Sequence, residues 1–144
     1  MKKVFVSGCY DLLHSGHIQF FKKAAEYGKL YVSIGSDKTV QELKGKASIY
    51  SEKERLFMVA AIKYVHRAFV ARGSGQLDFK KEIEKIKPDI FVVNKDGDRE
   101  EKRKYIKNLG IKYIVLKRTP YKKLPTRSTT GIFKKLCLIL KKTE

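Results

Sequence analysis

Two histidines and two glycines crowd into the run Gly8-Cys9-Tyr10-Asp11-Leu12-Leu13-His14-Ser15-Gly16-His17. His14 and His17 are three positions apart, so on the first turn of a helix their imidazoles point the same way. A helix N-terminus adds free N–H groups and a partial positive charge at that place. Gly8 and Gly16 carry no side chain, so the backbone there can come close to a phosphate or a sugar. Two imidazoles and a nest of amides facing one spot suit a triphosphate that gains charge as it reacts. The plainer reading makes one histidine a helix cap and the other a packed core residue. The clustering of both with Gly8-x-x-Asp11 at a strand–helix junction favours the phosphate chemistry.

This stretch resembles the signature of the cytidylyltransferase-like nucleotidyltransferases, the H-x-G-H superfamily. That family includes glycerol-phosphate and ethanolamine-phosphate cytidylyltransferases, archaeal FAD synthetases and the adenylyltransferase domain of heptose-phosphate enzymes. The resemblance continues in Ser36-Asp37, Leu43-Lys44-Gly45, Glu52-x-x-Arg55 and Arg127-Ser128-Thr129-Thr130. It implies that His14 and His17 contact the triphosphate and steady the transition state. Gly8, Cys9, Tyr10, Asp11 and Gly16 would bind the nucleotide beside them. Lys44, with Lys46, would reach the phosphates from a mobile loop, since a flexible ammonium on a Gly-containing loop can close over an anion. A solvated basic loop is the other reading of Lys44-Gly45-Lys46. Arg55 would approach the nucleotide or the acceptor phosphate, or stand as a surface helix charge. Ser128, Thr129 and Thr130 read as a helix N-cap whose amides also bind phosphate, with Arg127 adding a forked donor.

The chain departs from the family pattern twice. Arg118-Thr119 resembles the Arg-Thr that precedes the Ser-Thr-Thr motif, but the eight residues Pro120–Arg127 separate it from Ser128. Arg118 and Arg127 are therefore both candidates for the phosphate-binding arginine. After the fourth strand the family carries Gly-x-Asp, where this chain has Asn94-Lys95-Asp96-Gly97-Asp98. Asn94 and Asp96 are candidates for the base and ribose, and ordinary turn chemistry is the alternative. A calcium loop is excluded, because the glycine falls at the wrong offset and Tyr105 stands where the closing Glu belongs.

The reaction the resemblance implies is transfer of CMP from CTP to a glycerol, amino-alcohol or sugar phosphate, with release of pyrophosphate. CTP is favoured because Gly8-Cys9-Tyr10-Asp11 and Ser128-Thr129-Thr130 look like the cytidylyltransferase forms. Adenylyl transfer to a sugar phosphate or to FMN is the second reading. Mg²⁺ would enter with the NTP, no protein metal site is expected, and a homodimer is a family expectation.

These residues need a scaffold, and the apolar pattern supplies one. Lys3–Ser7, Leu30–Ile34, Ala68–Val70, Ile90–Val93 and Tyr113–Leu116 read as strands. Helical spacing appears between them: Ile18 to Ala25, a polar start at Asp37–Tyr50, Ser51 with Glu54 as a capping box, Phe79 to Ile86, and Glu100–Leu109. Ile132, Phe133, Leu136, Cys137 and Leu140 form the face of a last helix, expected on the sheet or at a dimer interface. The alternation predicts an α/β fold: one doubly wound, Rossmann-like parallel sheet of about five strands, with helices on both faces. Residues 1–144 are expected to form a single domain. Ligands of such sheets bind beyond the carboxyl ends of the strands, where the His14–His17 motif falls.

Composition sets the remaining limits. Lys and Arg number 33 against 15 Asp and Glu, a net charge of +18. That excess favours anionic partners without naming one, and a lysine-rich proteome would give the same figure. A basic nucleic-acid-binding module is the competing class. Tyr27, Tyr31 and Phe91 argue against it, because they fall in core periodicity and make no exposed stacking stripe. A membrane-surface role for the last helix, with Lys134, Lys135, Lys141 and Lys142 beside its apolar face, is a weaker third reading. Cys9 and Cys137 make no disulfide framework and fit a reducing cytoplasm, both thiols packed as small apolar groups. The apolar runs at Met1–Val6 and Leu136–Leu140 are too short for a signal peptide or a bilayer span.

Overall fold

The computed structural model describes residues 1–143. β1 (Lys3–Gly8), β2 (Lys29–Ile34), β3 (Arg67–Val70), β4 (Ile90–Asn94) and β5 (Lys112–Leu116) form one sheet in the order β3-β2-β1-β4-β5. Every neighbouring pair is parallel. Each strand is one residue longer than the apolar run that announces it. Six helices accompany them: α1 (Ser15–Ala25), α2 (Asp37–Lys44), α3 (Glu52–Ala60), α4 (Lys80–Ile86), α5 (Glu100–Asn108) and α6 (Thr129–Thr143).

The apolar strands are sorted by their two-residue period. Val4, Val6, Leu30, Val32, Ile34, Ile90 and Val92 face one way and pack on Phe20, Phe21 and Ala24 of α1 and Val59 of α3. Phe5, Phe91 and Val93 face the other way, onto Phe79, Ile83 of α4 and Ile106 of α5. The sheet is therefore covered on both faces and doubly wound, as expected. Strand order reverses between β1 and β4, which opens a crevice at their carboxyl ends.

Three expectations are corrected. No residue of α6 is buried, and Leu136 and Leu140 are exposed, so this helix does not pack on the sheet. Tyr27 is exposed, because it follows the last turn of α1 and does not belong to its buried stripe. Cys137 lies on the open α6 and is exposed too, while Cys9 is half-buried. The Asp37–Tyr50 segment resolves into α2, ended by Gly45 in the left-handed region at φ 69°, and a loop. No described helix is long and apolar enough to cross a membrane.

Candidate active site

β1 delivers the chain to the crevice and α1 leads it away. Between them His14 is the N-cap of α1, with extended backbone. Its Nδ1 accepts the backbone N–H of Gly16 at 3.0 Å. The Nδ1 of His17 accepts the backbone N–H of His14 at 3.2 Å. The two rings lie 3.8 Å apart between centroids. The cap reading of His14 thus holds, and it is compatible with the phosphate reading. An imidazole that accepts through Nδ1 carries its proton on Nε2 when neutral. Both rings therefore present an Nε2–H donor. Burial, then the charges of Arg118 and Arg127, lowers the His14 pKa. Burial, then His14, Arg118 and Lys44, lowers that of His17 to about 3. Near neutral pH the pair is uncharged and donating.

Glycine is required beside this pair. A Cβ on Gly16 would stand 2.8 Å from Cε1 of His14 and 3.3 Å from the carbonyl oxygen of Arg127. A Cβ on Gly8 would stand 2.8 Å from the Tyr10 ring. Tyr10 and Leu12 both have positive φ, at 55° and 45°, a conformation non-glycine residues adopt rarely. The turn drives the Tyr10 ring into the core under His17, where its hydroxyl has no partner among the described residues. Burial pushes the Tyr10 phenol well above its usual range.

Two residues expected to touch the nucleotide brace the loops. Both carboxylate oxygens of Asp11 accept backbone N–H groups, of Ile49 at 2.7 Å and Tyr50 at 3.0 Å. Arg55 is fully buried. Its Nη1 donates to the carbonyls of Cys9 and Gly35, each at 2.7 Å, and its Nε to that of Tyr50 at 3.0 Å. Its Nη2 pairs with Asp37 at 2.9 Å. The Arg55 guanidinium thus ties the ends of β1 and β2 to the start of α3 and does not reach the crevice. This corrects both earlier readings of it, the phosphate contact and the surface charge.

Cations line the rim. Lys44, exposed at the end of α2, is near enough to bear on His17. Lys46 lies over the Phe133 ring of α6 at 4.5 Å. Arg118 donates to the carbonyl of Arg127 at 2.8 Å and pairs with Asp96, so it clasps the long loop onto the turn after β4. Arg127 has no such engagement among the described hydrogen bonds and ion pairs. Ser128 caps α6 by accepting the N–H of Gly131 at 3.0 Å, with Thr129 and Thr130 in its first turn. The Thr119–Arg127 residues rest on α1: Lys22 lies over the Tyr121 ring at 4.3 Å, and Lys23 donates to Thr119. With Gly16, Gln19, Phe20 and Asn94 they wall a pocket beside the histidines.

Among the described residues no three His, Cys, Asp or Glu side chains gather as metal ligands. Asp11 and Asp96 are engaged, so the groups left facing the crevice are imidazole N–H, ammonium, guanidinium and amide. Such donors hold phosphate oxygens, and a divalent ion fits here as part of a metal–nucleotide substrate. Sequence reasoning missed two buried residues at the same edge, Asp78 and Lys102. Asp78 follows a Gly73-Ser74-Gly75 turn and Lys102 lies in a highly charged helix, and neither setting signals burial.

Residues 5–142 match the family model described as cytidylyltransferase-like. The chain is 32% identical to the FAD synthase of Methanopyrus kandleri, over 99% of this chain and 97% of that one. It is 39% identical to the FAD synthase of Methanothermus fervidus, over 90% of this chain and 91% of that one. The solved structure of a lipopolysaccharide core biosynthesis protein from Thermoplasma volcanium superposes with a TM-score of 0.69 at 30% identity. That match covers 85% of this chain and 99% of the other.

Proposed function

The chain belongs to the cytidylyltransferase-like family of nucleotidyltransferases, and from that premise we propose that it moves AMP from ATP to FMN, forming FAD and releasing pyrophosphate. The near full-length FAD synthase relatives support these substrates. They give no support to the CTP expectation. That expectation rested on Gly8–Asp11 and Ser128–Thr130, which form the tight turn and the helix cap. The observation that carries the mechanism is the paired Nδ1 engagement of His14 and His17.

An oxygen of the FMN phosphate attacks the α-phosphorus of ATP. One P–O bond forms there as the bond to the bridging oxygen of pyrophosphate breaks. A phosphate monoester has its second pKa near about 6, so the nucleophile is already anionic at neutral pH and needs no base. The two Nε2–H groups donate to phosphate oxygens as charge builds on them, and being fixed in advance they need no reorganisation. Lys44 and Arg127 add mobile positive charge, and the capped N-terminus of α6 adds amides. The family typically uses a divalent metal; we assign Mg²⁺, bound to the ATP phosphates.

A sugar-phosphate acceptor is the second reading, favoured by the Thermoplasma structure. The test is pyrophosphate release with ATP, CTP, GTP or UTP, each paired with FMN, glycerol phosphate, phosphoethanolamine and sugar phosphates. Release and FAD formation with ATP plus FMN alone is expected. Release with CTP, or with ATP only when a sugar phosphate is present, would sink the FMN reading.

A further inference from the structure

Asp78 and Lys102 are each only 8% exposed, and neither takes part in an ion pair among the described residues. The Asp78 carboxylate accepts no hydrogen bond from another described residue. The Lys102 ammonium has one long contact, 3.4 Å to the carbonyl of Gly97. Two largely buried opposite charges that are not in contact keep hydrogen-bonding capacity for something polar between them.

Both sit at the carboxyl edge of the sheet. Asp78 stands just ahead of α4, and Lys102 lies in the first turn of α5. Oδ2 of Asp78 and Sγ of Cys9 each lie 3.7 Å from where a Cβ on Gly35 would be, so the carboxylate hangs over the bare ends of β1 and β2. Lys102 is close enough to feel Asp78 and Cys9. Burial raises Asp78 to about 6 while Lys102 pulls it back. The Lys95–Gly97 turn divides this place from the pocket at Asn94 and Arg118: Asp96 turns to Arg118, and the Gly97 carbonyl to Lys102.

We propose that Asp78 and Lys102 recognise a cyclic imide on the acceptor, the carboxylate accepting the imide N–H and the ammonium donating to a flanking carbonyl. The inference rests on the FMN reading, because the flavin ring carries such an edge at N3–H between two carbonyls, and glycerol, amino-alcohol and sugar phosphates do not. An adenine edge also offers a donor beside an acceptor. The acceptor is favoured because Asn94 and Asp96, the candidates for the base and ribose, lie with Arg118 and the Pro120–Arg127 loop on the other side of the Lys95–Gly97 turn.

The experiment compares FMN with N3-methyl-FMN on the wild-type protein, then on Asp78→Asn and Lys102→Met, with KM for ATP measured alongside. The methyl group should cut wild-type kcat/KM by roughly tenfold to a hundredfold, the usual loss when a buried acceptor is left unpaired. Asp78→Asn should raise KM for FMN, leave KM for ATP unchanged, and shrink the methyl penalty. Equal use of the two flavins by the wild type overturns the inference and leaves the FMN reading standing. A KM increase confined to ATP overturns it by assigning the pair to adenine. No FAD formation by the wild type fails the FMN reading itself, and the inference with it.

Discussion

His17 accepts the backbone N–H of His14 through Nδ1 at 3.2 Å, so the second histidine of the motif fixes the backbone that carries the first. The same contact fixes the proton of His17 on Nε2. Structural and chemical duties thus fall on opposite nitrogens of one ring. Asn in place of His14 keeps a side-chain oxygen able to cap the helix and loses the outward donor. His14→Asn should therefore lower kcat by about 10²–10³, the usual loss on removing one transition-state donor. Thermal unfolding should stay within a few degrees of wild type. Single-turnover rates beside melting curves check this, and a variant that unfolds while its folded fraction keeps full kcat would make His14 a cap alone.

Gly16 separates activity from stability by acting on the same ring. Alanine in a first helical turn ordinarily helps a helix, by up to about 1 kcal/mol relative to glycine. Here its Cβ would stand 2.8 Å from Cε1 of His14. The imidazole must rotate off Nδ1 contact with the Gly16 amide. Loss of that cap, about 0.5–2 kcal/mol, offsets the alanine gain, so Gly16→Ala should move the melting temperature by only a few degrees while reducing kcat by roughly tenfold or more. Unchanged kcat would mean that the His14 ring is free to shift without consequence.

The histidine motif and the five strands were legible because each depends on local pattern: spacing on one helical turn, and unbroken apolar runs such as Ile90–Val93. Arg55 was misread because burial of a guanidinium depends on carbonyls at positions 9, 35 and 50, which only the folded chain brings together. Asp78 and Lys102 were missed for the same reason. Their burial follows from where α4 and α5 begin relative to β1, not from their neighbours in sequence. The apolar face of α6 was correctly seen, but periodicity cannot tell which surface a face meets. Here it meets no part of the sheet.

Arg55 supplies a test of that distinction. Its guanidinium serves three carbonyls and one carboxylate in a fixed fork, which a lysine ammonium cannot reproduce. Arg55→Lys should cost about 1–3 kcal/mol of stability, the range for leaving a buried acceptor unpaired. Urea unfolding measures it. KM for ATP of the folded fraction should change little. A large rise in KM for ATP at unchanged stability would return Arg55 to the nucleotide.

Acid stability should reveal Asp78 and His17 as opposing groups. His17 falls from an ordinary 6.5 to about 3 in the folded chain. Between those values the unfolded state binds the extra proton, so folding weakens as pH drops. Asp78 moves the other way, from 3.8 to about 6. Between those values the folded state binds the extra proton, so folding strengthens as pH drops. Each contributes a slope of up to about 1.4 kcal/mol per pH unit, and the two largely cancel from about pH 4 to 6. Asp78→Asn removes one side of the balance. Its stability should therefore fall more steeply than that of the wild type as pH is lowered from 6 to 4, whatever its stability at neutral pH. Urea denaturation at half-unit pH steps gives both curves. Parallel curves would show that Asp78 titrates alike in the folded and unfolded chains, and that its carboxylate meets more water than its burial implies.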